Sequence, residues 1–341
     1  MAWMQWISTL MGEMPRQRYA AASPPDHFHC LLDELPVHLV PRSFFVATGF
    51  QESLRQPLFL NPNCSILPAG EFPEEFSQRR NLLDRFAQQG TVAWVRDTAT
   101  ASLLPFWLGR RLEDVVHGLR PEECAQLSLS HEDLYLLASA GILSPVRARE
   151  QRVEKWERDI QESGFIFRSK GYVPLTGLLH PYHVAALRRY YRGLIRRGEV
   201  HLGDQQSSRR YIAYNEPVAR FFHHHIAATV AAVVGQAIKP SYVYMASYKS
   251  GAELKKHTDR AQCEFSVTLC LDFSPEPARE TSWPIRLDTS RGTVAVYQSL
   301  GDGLVYRGTR LPHYRHTLAE GQSSTSIFFH YVREEFDGPL G

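Results

Sequence analysis

The chain has 341 residues, 43% of them hydrophobic and 22% charged, with a formal net charge of +2 at pH 7. That is the composition of a folded globular protein, long enough for one catalytic domain and a substantial extension. So small a net charge gives no reason to expect a nucleic-acid partner, and the longest apolar run, 226–234, is far too short to span a bilayer.

Residues 1–7 lack a basic stretch leading into an apolar core, so no secretory signal is expected there. Residues 1–160 are expected to form a mainly α N-terminal region. Phe, Leu and Val at helical spacing predict helices over 74–89 and 108–119, with a short strand at 91–95 between them. Ser130 followed by His131, Glu132 and Asp133 is a helix start, and Gly141 marks its end. The charged stretch 150–162 predicts a connecting helix.

A second domain is expected over 161–341. Residues 171–175 form a short strand, and Pro181 opens a helix to about 197, where its missing N–H does no harm. Ala185, Leu187, Tyr190, Tyr191, Leu194 and Ile195 give that helix its apolar face. A further helix covers 216–234. His223, His224 and His225 lie within it and point in different directions, which favours an ordinary helix turn over a metal tract. The arginine pairs at 188–189, 196–197 and 209–210 read as solvated faces.

Beyond 240 the pattern changes to strands. Residues 242–248 alternate, and 264–272 place Phe265, Val267, Leu269 and Leu271 on one face. Stretches 283–288, 292–297, 303–306 and 325–332 follow, separated by Gly, Asp, Ser and Pro. Short strands at this spacing predict a sandwich or barrel, and a double-sheet jelly roll is the version that holds a metal between its sheets.

His257 and Asp259 are two apart, so on a strand or at its end they project to one side. His313, in Leu311-Pro312-His313-Tyr314-Arg315, arrives from a distant strand. Two neutral imidazoles and one carboxylate can occupy one face of an octahedral metal and leave the other open. His316 competes with His313, which has the better context after Pro312; His330, inside the last strand, reads as a hydrogen-bonded core residue. The five cysteines (Cys30, Cys64, Cys124, Cys263, Cys270) are odd in number and lack Cys-x-x-Cys spacing. They read as reduced thiols of a cytoplasmic protein, not a disulfide framework or zinc site.

Tyr248-x-x-Gly251, His257-Thr258-Asp259, Gly301-Asp302-Gly303 and Leu311-Pro312-His313-Tyr314-Arg315 together carry a resemblance. Over roughly 165–333 the chain resembles the Fe(II)- and 2-oxoglutarate-dependent oxygenases, which share a double-stranded β-helix core. The resemblance implies an α+β fold with a jelly-roll, cupin-like catalytic domain braced by helices. It implies His257, Asp259 and His313 as ligands of Fe(II), and Tyr248 as a contact to the co-substrate 2-oxoglutarate. One departure is plain. The family's arginine or lysine about ten residues past the distal His is missing, since 321–326 reads Gly-Gln-Ser-Ser-Thr-Ser. A buried carboxylate needs a partner. Arg315, two residues past His313, is the first candidate; Arg307 and Arg260 are alternatives, and Ser324 or Ser326 could add hydroxyl donors.

The implied activity is that of a dioxygenase, an oxidoreductase that hydroxylates an unactivated C–H bond of a small metabolite, amino acid or peptide. Asp259 favours hydroxylation or a related oxidation over halogenation, because halogenating relatives lack the carboxylate. Arg260 and Arg310 lie where a substrate carboxylate or phosphate could be received. Two other readings stand beside it: a non-catalytic cupin-like metal binder, and an interaction protein whose N-terminal region acts on a β scaffold.

Overall fold

The computed structural model describes residues 27–34, 56–120 and 122–341. Residues 1–7, read above for a secretory signal, lie outside them. The N-terminal region holds strands β1 (Phe59–Leu60), β2 (Cys64–Pro68), β3 (Thr91–Arg96) and β4 (Leu103–Trp107). Helices α1 (Gly109–Gly118) and α2 (His131–Ser139), strand β5 (Leu143–Ser144) and helix α3 (Ala148–Lys170) follow. β2, β3 and β4 form an antiparallel sheet, and β1 pairs with β5. Ser130 caps α2 by accepting the Asp133 amide, as its sequence suggests.

Two expectations are corrected here, and one is refined. Helices outweigh strands in the described part of the region, but a three-stranded antiparallel sheet lies among them. The helix expected over 74–89 is two short 3₁₀ turns, Glu74–Phe76 and Arg80–Leu83. Its backbone bonds run to the third residue back, and at its end Phe28 exchanges backbone bonds with Arg85 and Ala87, pulling the chain out of helical geometry. Residue 160, the expected boundary, lies inside the unbroken α3, which ends at Gly171 with φ +77°. One apolar cluster runs from Phe28 and Trp94 through Tyr190 and Phe222 to Val267 and Phe329, so the N-terminal region shares the core of the rest.

The remaining elements are β6 (Tyr172–Leu175), α4 (Pro181–Arg196), β7 (His201–Leu202), β8 (Arg210–Tyr214), α5 (Pro217–Val234) and β9 (Ile238–Lys249). After them come β10 (Leu254–His257), β11 (Phe265–Ser274), β12 (Ile285–Thr289), β13 (Gly292–Val296), β14 (Gly303–Tyr306), β15 (His313–Arg315) and β16 (Ser323–Arg333). They form two antiparallel sheets: a large one in the order β6-β14-β11-β16-β9-β8-β7, and a small one in the order β10-β15-β12-β13. From β9 onward the chain steps repeatedly from one sheet to the other. Ile285, Leu287 and Val296 of the small sheet pack on Leu304 and Tyr306 of the large one, so the sheets face each other.

Alternation along the strands separates two environments. Val243, Met245, Phe265, Val267, Leu269, Ile327 and Phe329 point outward into the core shared with α4 and α5. Each such side chain contributes on the order of 1.5–3 kcal/mol. The opposite register positions, Ser266, Thr268, Cys270, Ser324, Ser326 and His330, face the small sheet. Both faces are covered, which is why β11 is buried from Phe265 to Phe273.

The helices are tied down by charge. Arg188 and Arg192 of α4 bond Asp272 of β11 at 2.9 and 2.6 Å. Glu216 caps α5 and accepts the hydroxyls of Tyr190 and Tyr191.

Two helix histidines are fully enclosed. His183 of α4 donates Nε2–H to the Pro105 carbonyl, and His223 of α5 donates to the His330 carbonyl, 2.9 and 2.8 Å. Burial, the largest cause, holds both well below the usual 6.5, so both are neutral in the fold. The unfolded chain takes up protons there first as pH falls. Their stabilising contribution is therefore complete above about pH 6.5 and is lost progressively below it. The urea midpoint is expected to be clearly lower at pH 5 than at pH 7.5; equal midpoints would contradict the burial of both rings.

Candidate metal centre

His257 ends β10 and His313 begins β15, and the two are register partners in the antiparallel β10–β15 ladder. Asp259 follows β10, its backbone amide bonded to the Gly308 carbonyl at 2.9 Å. The structure thus brings the three residues together. Asp259 Oδ1 lies 3.7 Å from His257 Nε2 and 3.5 Å from His313 Nε2. One donor atom from each lies within 4.8 Å of the others. Ligand atoms about 2.1 Å from one first-row ion stand roughly 3.0–3.4 Å apart at angles of 90–109°. The observed spacings fit one shared ion after shifts of a few tenths of an ångström.

Both imidazoles are oriented in the same way. His257 Nδ1 bonds the Lys255 carbonyl at 2.7 Å, and His313 Nδ1 bonds the Leu311 carbonyl at 3.0 Å. Each carbonyl belongs to the residue two positions back. As a carbonyl only accepts, Nδ1 carries the proton and Nε2 keeps its lone pair toward Asp259. Burial, the largest cause, lowers the His313 pKa, which keeps the ring unprotonated and able to ligate. Its Nε2 also lies 3.4 Å from the buried Tyr306 hydroxyl. His313 is 2% exposed, whereas His257 sits at the open edge of the site.

The other sequence candidates are placed as follows. Arg315 shares the inner face of β15 with His313 and is 4% exposed. Its guanidinium lies 4.7 Å from the Trp283 ring centre and donates to the Trp283 carbonyl, while Nε has no partner. Among the described residues the groups that act on its charge are Tyr248, Cys270 and Tyr306, none of them a carboxylate; burial, the largest cause, lowers its pKa. Tyr248, Ser324 and Ser326 are all buried, and Ser326 Oγ has no partner. Ser324 is the register partner of Tyr248, and Ser326 that of Cys270, whose thiol and the Tyr248 hydroxyl are within electrostatic reach of Arg315. Arg307 instead stacks on Phe167 and Phe265, on the outer side, and Arg260 lies exposed over Tyr242. His316 and Arg310 are exposed. Asp302 forms the expected turn before β14, accepting the Gly177 and Ser299 amides.

Three contributors, Ser266, Arg210 and Gly308, escape sequence reasoning, while His330 is the hydrogen-bonded core residue its place in the last strand suggests. Ser266 donates to Asp259 Oδ2 at 2.7 Å, and His330 Nδ1 lies 3.0 Å from the same hydroxyl. Arg210, buried on β8, donates to the Tyr248 hydroxyl at 3.0 Å and is paired with Asp204. Gly308 lets its backbone approach the carboxylate. Asp259, Cys263 and His330 form a second cluster of potential donors. There the Cys263 thiol is pushed up to about 12, chiefly by burial, and bonds the Tyr242 hydroxyl at 3.0 Å, so it is not a ready thiolate ligand.

No family model matches the sequence, and no curated protein matches it. Solved structures do align with about half of the chain. The non-heme alpha-ketoglutarate-dependent epimerase SnoN from nogalamycin biosynthesis is 14% identical over 52% of this chain and 84% of its own, TM-score 0.45. HygX from Streptomyces hygroscopicus, solved with nickel, 2-oxoglutarate and hygromycin B, is 14% identical over 52% and 88%, TM-score 0.42. A Pseudomonas putida prolyl-4-hydroxylase is 16% identical over 50% and 98%, TM-score 0.41. Likeness of this degree assigns no substrate, and the chemistry of this chain rests on its own side chains.

Gly308 gives the sharpest test of the geometry. A Cβ there would collide with Asp259 Oδ2, the Cys263 carbonyl and Ser266 Oγ. Gly308→Ala is expected to weaken Co(II) binding by about tenfold or more. It should also destabilise the fold by roughly 1–3 kcal/mol. Unchanged cobalt affinity by calorimetry would show that the carboxylate is not held where it is described.

Proposed function

We propose that this chain is an Fe(II)- and 2-oxoglutarate-dependent dioxygenase that hydroxylates a C–H bond of a small molecule or peptide. The observation that carries the reading is the convergence of His257 Nε2, His313 Nε2 and Asp259 Oδ1 on one point between two sheets. Two neutral imidazoles and a carboxylate suit ferrous iron and leave positions open for a chelating co-substrate and dioxygen. The strand order of the two sheets suits a double-stranded β-helix. In this reading the chemistry belongs to the two facing sheets between Tyr172 and Arg333, with the preceding residues bracing the outer face of the large one.

The residues around the point also suit a dicarboxylate. A buried guanidinium without an acidic neighbour is costly, and an incoming carboxylate would offset that cost. Arg315 is such a group, with Nε unpartnered and the Ser326 hydroxyl likewise unsatisfied. Tyr248, whose oxygen already accepts from Arg210, keeps its own proton to donate. Arg315, Tyr248, Ser326 and Ser324 would hold the outer carboxylate of 2-oxoglutarate, leaving its keto-acid end for the metal.

Bound iron and 2-oxoglutarate would supply the oxidising chemistry, with the co-substrate converted to succinate and CO2. The protein's own part is to turn Nε2 of both imidazoles and Oδ1 of Asp259 to one point, and to exclude water from the inner face. Leu304, Tyr306 and Phe328 wall that face, which guards against loss of the oxidant.

Loading with Fe(II) and 2-oxoglutarate without air, then admitting oxygen, should release succinate from the wild-type protein. His257→Ala and His313→Ala should abolish both iron stoichiometry and succinate. Arg315→Met should keep one iron per chain but weaken 2-oxoglutarate about 10–100-fold, as loss of a charge-assisted contact of about 1.5–3 kcal/mol requires. Stoichiometric iron with no 2-oxoglutarate binding in the wild type would sink the proposal.

A further inference from the structure

We infer that Ser266 and His330 are positioning residues that restrict Asp259 to a single metal-facing oxygen, keeping three coordination positions open. The inference rests on the metal-centre reading above. A carboxylate can bind a metal through one oxygen or both. Beside two imidazoles, a one-oxygen carboxylate fills three of six octahedral positions. A two-oxygen carboxylate fills four, and the two left cannot accept a chelating keto acid and dioxygen together.

The geometry assigns different work to the two oxygens of Asp259. Oδ1 faces both imidazoles, at 3.5 and 3.7 Å. Oδ2 accepts a hydrogen bond from Ser266 Oγ at 2.7 Å. A serine hydroxyl has one proton. With that proton given to Asp259, the contact to His330 Nδ1 at 3.0 Å must run the other way, from Nδ1–H to Ser266 Oγ. The chain of donors is therefore His330 to Ser266 to Asp259.

The upper end of this chain is fixed by the fold. Ser266 and His330 are register partners across β11 and β16, 1% and 6% exposed. The His330 carbonyl accepts from His223 Nε2 at 2.8 Å, and Ser241 Oγ, which donates to the Gln262 carbonyl at 2.6 Å, lies 2.9 Å from it. Its ring packs 4.6 Å from that of Tyr242. A serine and a histidine buried on two central strands cost stability compared with apolar residues. Gripping the second carboxylate oxygen gives that cost a function.

Calorimetry with Co(II), and then with 2-oxoglutarate on the cobalt-loaded protein, separates this role from simple support of the fold. Ser266→Ala and His330→Leu should still load one Co(II) per chain, yet lose about tenfold or more in 2-oxoglutarate affinity. His330→Asn, whose amide can still donate to Ser266, should stay within about threefold of wild type. Cobalt and 2-oxoglutarate binding by Ser266→Ala equal to wild type would overturn the inference while leaving the metal centre standing. Loss of cobalt itself from Ser266→Ala, with the wild type loading normally, would also overturn the one-oxygen role. A wild-type protein that takes up no cobalt would overturn both readings.

Discussion

The centre hangs on a three-residue strand. β15 is hydrogen-bonded on one side to β10, where His313 faces His257, and on the other to β12, where His313 faces Leu287. A slip of one residue in either ladder would turn His313 and Arg315 to the outside and Tyr314 inward. Several contacts oppose it. Leu287 is fully buried, the Asp288 amide bonds the Pro312 carbonyl, and Lys256 bridges Asp288 at 2.6 Å while lying over the Tyr314 ring. Exposed contacts of that last kind are weak singly. Their value is in fixing register, because the apolar pattern of so short a strand cannot do so alone.

The large sheet divides the molecule into two chemical environments. On its outer face, Phe, Val, Leu and Ile meet α4, α5 and the N-terminal elements in one apolar cluster. On its inner face, the same strands present Ser, Thr, Cys and His toward the small sheet. Stability is concentrated outside and polar chemistry inside, one side-chain position apart. A rigid outer core lets β11 and β16 hold Ser266 and His330 at fixed spacing, as a mobile loop would not. The polar inner face is only partly satisfied by itself: Ser266 and His330 bond one another, while Thr268 Oγ1 and Ser326 Oγ have no partner.

How much of this was legible in the sequence depended on range. Strands such as Phe265–Ser274 and Gly303–Tyr306 were readable because alternation and flanking turn residues are local signals. His257 and Asp259 stand out in the sequence only together with Tyr248-x-x-Gly251, Gly301-Asp302-Gly303 and the Pro-His-Tyr-Arg context of His313, because the two-residue spacing alone is a weak signal. The stretch 74–89 misled because its apolar spacing is equally served by 3₁₀ turns, and the deciding influence was pairing with Phe28, far away in sequence. The β2-β3-β4 sheet was half visible, through Thr91-Val-Ala-Trp-Val95, but its partner strands carry Pro68 and Pro105, which weaken a strand signal. Gly308, Ser266 and Arg210 carry no local pattern. Each matters only through what the fold lays beside it.

Arg315 and Arg210 show how context decides what a buried cation can do. Both lie on inner strand positions, and Tyr248 lies within electrostatic reach of each. Arg210 is neutralised: Asp204 pairs with it, Gln206 accepts from it at 2.7 Å, and Tyr244 donates to the same Asp204 at 2.7 Å. Arg315 has an indole face and one carbonyl, neither of which balances a full charge. An anion entering between the sheets is therefore drawn to Arg315 and not to Arg210, although the two guanidiniums flank the same tyrosine. That asymmetry places the unbalanced positive charge on the strand that carries His313, so under the proposed function metal ligand and anion partner would share one three-residue strand. Under the proposed function the departure at 321–326 would have a physical counterpart, with hydroxyls at Ser324 and Ser326 and the cation at Arg315, two residues beyond His313.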